Sequence, residues 1–239
     1  MGVVALGRVG TSRGSILAES KTVGPAPAEV SAADATAPIL CAVLNRADLH
    51  PFNVFDVDQL AVAPWRNGGG ETREIAAQPS DGGSFAWRAS IATIAQDGRF
   101  SEFPGVDRTI TLLEGVGVRL LGDDLDHTLD RPGEPFAFPG DVNVRAALVS
   151  GSTRNLNIMT QRGSWVASVR TTTAPVIAAA GHDGVLYVMR GRWHGGRSLD
   201  VGQGVWWTAD AATHAVGEAA AVKPLTDDAI ALWADIRPL

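Results

Sequence analysis

An all-β fold is predicted for this chain by three observations. After Phe55 the 239-residue sequence runs as short stretches of β-branched and aromatic residues. Gly, Pro and Asp interrupt those stretches at close intervals, as in sandwiches and barrels. The longest stretch, Phe85 to Ile94, alternates so that Phe85, Trp87, Ala89, Ile91 and Thr93 share one face and Ala86, Arg88, Ser90, Ala92 and Ile94 the other.

The strands follow in order. Glu71 to Ala77 comes straight after three glycines, and the turn Asp81-Gly82-Gly83 separates it from Phe85 to Ile94. Pro104-Gly105 precedes Thr109 to Glu114 and Val116 to Leu121. The turns Pro132-Gly133 and Pro139-Gly140-Asp141 lead into Val142 to Leu148 and Asn155 to Thr160. Arg162-Gly163 opens Ser164 to Thr171, and Asp183-Gly184 opens Val185 to Met189. Gly204 to Thr208 and Ala229 to Asp235 close the series. A short echo joins Ile110–Gly115 (ITLLEG) to Leu186–Gly191 (LYVMRG), which fits either a tandem repeat or coincidence among Gly-rich strands.

Residues 1–50, rich in Ala, Gly, Ser, Thr and Pro, carry neither alternation nor a helical stripe and read as a flexible extension. The expected organisation is therefore 1–50 extension, 51–163 first β unit and 164–239 second β unit.

Composition removes several classes of function. Twenty basic against twenty-six acidic residues give a net charge of -6, with no dense Lys/Arg run to neutralise a phosphate backbone, so nucleic acid is not an expected partner. The longest apolar runs, Ile39 to Leu44 and Ala229 to Ala234, fall far short of the roughly 20 residues a membrane helix needs, so no membrane partner is expected. The first ten residues lack a compact apolar signal core, which argues against secretion and for a cytoplasmic location. Cys41 alone excludes an intrachain disulfide. The five histidines (His50, His127, His182, His194 and His214) show no His-x-His or His-Glu-x-x-His spacing, so neither metal nor cofactor is expected; a site built from distant strands by His182 and His194 is the remaining option.

The densest polar signal is Pro64 to Ile75. Its three glycines form either a loose turn or a nest of N–H groups for an anion, and Arg66 adds a planar fork of donors. Arg88 lies among small residues; pointing inward it builds an anion pocket, pointing outward it is a solvated surface charge. Asp107-Arg108 sets opposite charges at a strand start, and Asn155, Asn157 and Met159 share a face.

These residues also carry a family resemblance. PWRNGGGETREIA from Pro64, WRASIA from Trp87, DGRFSEFPGVDR from Asp97 to Arg108, FPGD from Phe138 to Asp141 and NLNIM from Asn155 to Met159 resemble the HutD/Ves family, in that family's order. The match spans Phe55 to Asp235 and is loose after Gly163. It implies a bicupin, two tandem cupin-type β-barrels, in a group of small-molecule binding proteins linked to bacterial histidine utilisation. By that resemblance Trp65, Arg66, Asn67, Arg88, Ser90, Arg108 and Asn157 form the ligand site, with Arg66 and Arg88 clamping a carboxylate. Asn155 stands where the family pattern suggests an acidic residue. The expected function is binding of a small carboxylated metabolite in an accessory or regulatory role, with a homodimer admitted. The competing expectation is a cofactor-free isomerase or hydrolase using Glu74 or Asp107 as general base.

Overall fold

Runs of apolar residues at every second position generate sheets with two usable faces, and the chain buries both faces of its two largest sheets. The computed structural model describes residues 50–80, 85–214 and 220–239. The expected extension, Cys41 and the turn Asp81-Gly82-Gly83 lie outside the described residues, His50 excepted. In chain order the first strands are β1 (Asn53–Asp56), β2 (Val62–Pro64), β3 (Gly70–Gln78), β4 (Trp87–Ile94), β5 (Gly98–Arg99), β6 (Val106–Glu114), β7 (Val118–Leu121), β8 (Asp126–Leu129), β9 (Pro135–Pro139), β10 (Arg145–Leu148) and β11 (Thr153–Gln161). Then come β12 (Trp165–Thr172), β13 (Val176–Ile177), β14 (Asp183–Arg190), β15 (Trp193–Gly195), β16 (Arg197–Leu199), β17 (Gln203–Trp207), the short helix α1 (Ala209–His214), β18 (Ala221–Pro224) and β19 (Ile230–Pro238).

These strands form four antiparallel sheets: β2-β3-β4-β11-β6-β9, β5-β10-β7-β8, β1-β17-β14-β19-β12 and β13-β18-β15-β16. Adding eight to each number turns β4-β11-β6-β9 into β12-β19-β14-β17 and β5-β10-β7-β8 into β13-β18-β15-β16. The chain therefore contains one eight-stranded topology twice. The echoing segments Ile110–Gly115 and Leu186–Gly191 occupy the matching strands β6 and β14, and both terminal glycines have positive φ, 105° and 67°. Among the described residues the ladders of each half stay open as two facing sheets, whereas the resemblance implied closed barrels.

Three cores hold the layers together. Ile94, Ile110, Leu112 and Phe138 of the six-stranded sheet pack on Val118, Leu120 and Ala146 of its four-stranded partner. Leu186, Val205 and Trp207 pack likewise on Trp193, Leu199 and Val222 in the second half. Between the two large sheets Trp87, Ile91 and Ile158 meet Val185, Tyr187 and Leu232, and Trp87 Nε1 donates to Asp183 across the same interface. Full burial of each such side chain contributes roughly 1.5–3 kcal/mol.

One strand departs from the expected division. β1, placed by the sequence in the unit 51–163, pairs with β17 at the edge of the second half's large sheet. No helix among the described residues is long and apolar enough to cross a membrane.

Candidate functional site

The face of the six-stranded sheet that looks toward its four-stranded partner is apolar at one end and polar at the other. Register explains this. Arg88 on β4, Met159 on β11, Arg108 on β6 and Phe138 on β9 form one cross-sheet row. The next row is Glu74, Ser90, Asn157 and Ile110. Arg88, Met159 and Arg108 of the first row and Ser90, Asn157 and Ile110 of the second floor a cavity of about 540 Å³, walled by Trp65, Arg66 and Asn67 after β2 and by Arg99, Phe100, Ser101 and Phe103 around β5.

Alternation thus resolves the open choice at Arg88: the side chain enters the cavity. It is not isolated, because its Nε donates to Glu74 Oε2 at 2.7 Å, with the two side chains 24% and 53% exposed.

Arg108 is the unusual group. It is 7% exposed and enclosed by the rings of Phe100, Phe103 and Phe138 at 5.3, 5.4 and 4.9 Å. Nη2 donates to Asn157 Oδ1 at 3.3 Å and Nη1 to the Ser101 carbonyl at 3.4 Å, while the buried Nε has no acceptor. No carboxylate among the described residues pairs with it. Burial, and then the nearby Arg88 charge, lower its pKa from the ordinary arginine value to about 10. A buried guanidinium without a counter-charge is costly, and an anion at the orphaned Nε would relieve it.

The glycine run is a fixed turn rather than an anion nest. Gly68 N donates to the Trp65 carbonyl at 3.0 Å and Gly69 N to Asn67 Oδ1 at 3.0 Å, so these N–H groups are already used. Gly68 needs its φ of +70°, and a Cβ on Gly70 would lie 2.2 Å from the Thr93 carbonyl. The turn carries Trp65 against the pocket, where its Nε1 donates to Thr72 Oγ1 at 2.8 Å and its ring meets Phe100 edge to face.

All seven residues expected at the ligand site, Trp65, Arg66, Asn67, Arg88, Ser90, Arg108 and Asn157, line this cavity. The two expected general bases do not. Glu74 is held by Arg88. Asp107 belongs to the opposite face of β6 and is bonded by Arg162 at 2.7 Å, because neighbours in a strand point to opposite sides. Arg162 also binds Asp141 at 2.6 Å, and Asp141 Oδ1 accepts from Gly105 N at 2.9 Å. These contacts make Gly105, Asp107 and Asp141 a brace for the loop before β6. Asn155 is buried with Nδ2 donating to Thr153 Oγ1 at 2.9 Å, and it is not part of the cavity wall. Arg99, which no expected strand or site included, adds a fourth guanidinium to Arg66, Arg88 and Arg108. Its two-residue strand is too short for alternation to signal a face.

The distant histidines do not converge. His182 Nδ1 is 2.8 Å from Asp235 Oδ1, and His194 is exposed on β15. Among the described residues no group of three or more His, Cys, Asp or Glu side chains could hold a metal ion.

Comparison with known proteins identifies the framework. The model of the HutD family matches residues 58–223. The chain belongs to the HutD family. Protein Ves of Citrobacter koseri is 46% identical over 156 residues, covering 64% of this chain and 81% of its own. HutD from Pseudomonas fluorescens SBW25 matches with a TM-score of 0.64 at 25% identity, over 79% of this chain and 99% of that one. A cupin 2 conserved barrel domain protein from Leptotrichia buccalis matches with a TM-score of 0.50 at 13% identity, over 76% of this chain and 95% of its own, a likeness of fold alone. HutD membership thus comes with an all-β fold and cupin-like structural neighbours.

Proposed function

We propose that this chain is a bicupin whose first half binds a small carboxylated metabolite and thereby adjusts flux through histidine utilisation. The observation that carries the reading is Arg108, a buried guanidinium with an orphaned Nε that lines a cavity together with three further arginines. Glu74, half-exposed and engaged by Arg88, is the adjoining carboxylate on that sheet face. The protein's net charge of -6 makes this local positive field a property of the site rather than of the surface as a whole. Phe100, Phe103 and Phe138 exclude water around the charge, so a ligand carboxylate there meets the guanidinium at low local dielectric. Asn157 and Ser90 orient the bound group, and Trp65 walls it. Placement of the role in histidine utilisation rests on membership of the HutD family.

Calorimetric titration with urocanate, formylated glutamate and a neutral amide analogue of each tests the reading. Binding of a carboxylate, lost in its amide, supports it. No binding below millimolar by any of them removes the ligand class.

A further inference from the structure

The repeat leaves one position unmatched. In the first half β3 lies against β4, with β2 beyond it, whereas β12, the counterpart of β4, ends its sheet among the described residues. Leu239 N donates to the Ser164 carbonyl at 3.0 Å, and the ladder continues without a bulge from Trp165 opposite Pro238 to Thr172 opposite Ala231. Bonded and non-bonded positions alternate in such a pair, so Trp165, Ala167, Val169 and Thr171 turn their N–H and C=O groups to the open side.

Two further observations single out this edge. A cleft of about 340 Å³ separates β12 from the outer face of β6 and β9, lined by Val166, Ala167, Thr109, Ala137 and Pro139. It adjoins the position of a strand added to β12. The other edges are protected or short: β2 carries Pro64, β9 carries Pro135 and Pro139, and β1 has four residues. β12 has eight residues, no proline, no lysine and a single charge, Arg170, which stacks over the Trp233 ring at 4.0 Å.

We propose that β12 pairs with β12 of a second copy of this chain, joining the two five-stranded sheets across a two-fold axis. A two-fold axis sets the strand antiparallel to itself, the orientation β3 takes against β4. With the axis at Ser168, which then faces its own copy, Ala167 bonds Val169 of the partner subunit and Arg170 lies opposite Val166 of the partner subunit, so no like charges meet. The closed symmetry satisfies the exposed ladder once and stops there, giving a dimer instead of a fibre.

Sedimentation velocity of the full chain over a concentration series tests this, together with two variants. Ser168→Lys brings two ammonium groups together at the axis, and Val169→Pro removes an outward N–H while sparing the bonds to β19. The unaltered chain should sediment as a dimer, and each variant should self-associate about tenfold more weakly or less, with circular dichroism unchanged. Amide exchange at Ala167 and Val169 should slow as concentration rises. A chain that stays monomeric throughout, or a dimer that persists unchanged in both variants with fast exchange at Ala167 and Val169, would overturn the proposal.

Discussion

Arg108 and Gly184 occupy the same position in the two halves of the molecule. Each stands seven residues before the glycine that ends its strand, Gly115 or Gly191, and their cross-strand neighbours are Phe138 and Trp207. In the first half a long cation lies beside a modest ring and a cavity remains. In the second, a Cβ on Gly184 would come within 2.1 Å of the Trp207 ring, so the indole fills that space. One repeated framework thus leaves a cavity beside this position in one half and an indole in the other.

That substitution of volume can be tested by overpacking. Gly184→Ala should destabilise the protein by about 1–3 kcal/mol, because the indole must shift. Adding Trp207→Phe should restore part of the loss, so the double variant should unfold at higher denaturant than the sum of the single changes predicts. Strict additivity in urea melts would mean that the two residues do not share the space.

Replacing Arg108 separates binding from stability. Arg108→Met retains most of the volume and removes an unpaired buried charge, so stability should change by no more than about 2 kcal/mol, with a gain the natural direction. Metabolite binding should be lost in calorimetry. Arg88→Met, at a partly buried residue already paired with Glu74, should weaken binding to a smaller degree. Retained affinity in the Arg108 variant would move the ligand elsewhere.

Alkaline pH gives an independent handle on the same group. The free protein holds the Arg108 pKa near 10, below the ordinary arginine value, and a carboxylate ligand needs the charged form. Affinity should therefore stay level up to about pH 10 and then fall by up to roughly tenfold per unit. For folding the sign is reversed. A base with a depressed folded pKa binds fewer protons folded than unfolded, so Arg108 makes stability rise as pH climbs from about 10 toward the ordinary arginine range. Comparing wild type with Arg108→Met in that window isolates the effect.

Tyr187 titrates in an overlapping window with the opposite consequence. Burial pushes its phenol from 10.0 up to about 12, so its stabilising contribution, complete below pH 10, disappears as pH rises through 12. It is the chain's one tyrosine, so phenolate absorbance reads it directly. The folded protein should show a midpoint near 12 and the denatured chain one near 10. A folded midpoint near 10 would mean that the sheet interface admits water.

Asp183 accepts from two donors, Trp87 Nε1 on β4 of the other half and Ala209 N at the start of α1 in its own. Asp183→Asn keeps the shape but leaves one carbonyl oxygen for both, so one buried N–H loses its acceptor. The expected cost is about 1–3 kcal/mol in chemical denaturation. A change below about 0.5 kcal/mol would assign the contact no structural weight.

Ten of the strands were legible in the sequence because their side chains alternate or their ends carry Gly, Pro or Asp. β8, with the sequence Asp-His-Thr-Leu, has no apolar alternation to read, and β9 is bracketed by prolines that count against strand. α1 spans only six residues, too few for a helical stripe. At the site, period-two alternation left Arg88 open between cavity and solvent, and family resemblance grouped it with Trp65 to Asn67. Treating Asp107 and Arg108 as a charge pair neglected that same alternation, which sends them to opposite sides of one sheet. Arg99 was not legible, since its placement depends on β5 meeting β10, a pairing set by contacts nearly fifty residues apart.

The position of β19 has a consequence for biosynthesis. This last strand in chain order lies between β14 and β12, in the interior of its sheet. During vectorial synthesis β12 and β14 emerge first and have no bond to one another until β19 inserts. The six-stranded sheet, complete once β11 has emerged, meanwhile presents Trp87, Ile91 and Ile158 without the layer that covers them. The nascent protein thus passes through an interval in which its largest apolar face is finished but bare. Substitutions that delay insertion of β19 should accordingly lower soluble yield out of proportion to their effect on the stability of the completed fold.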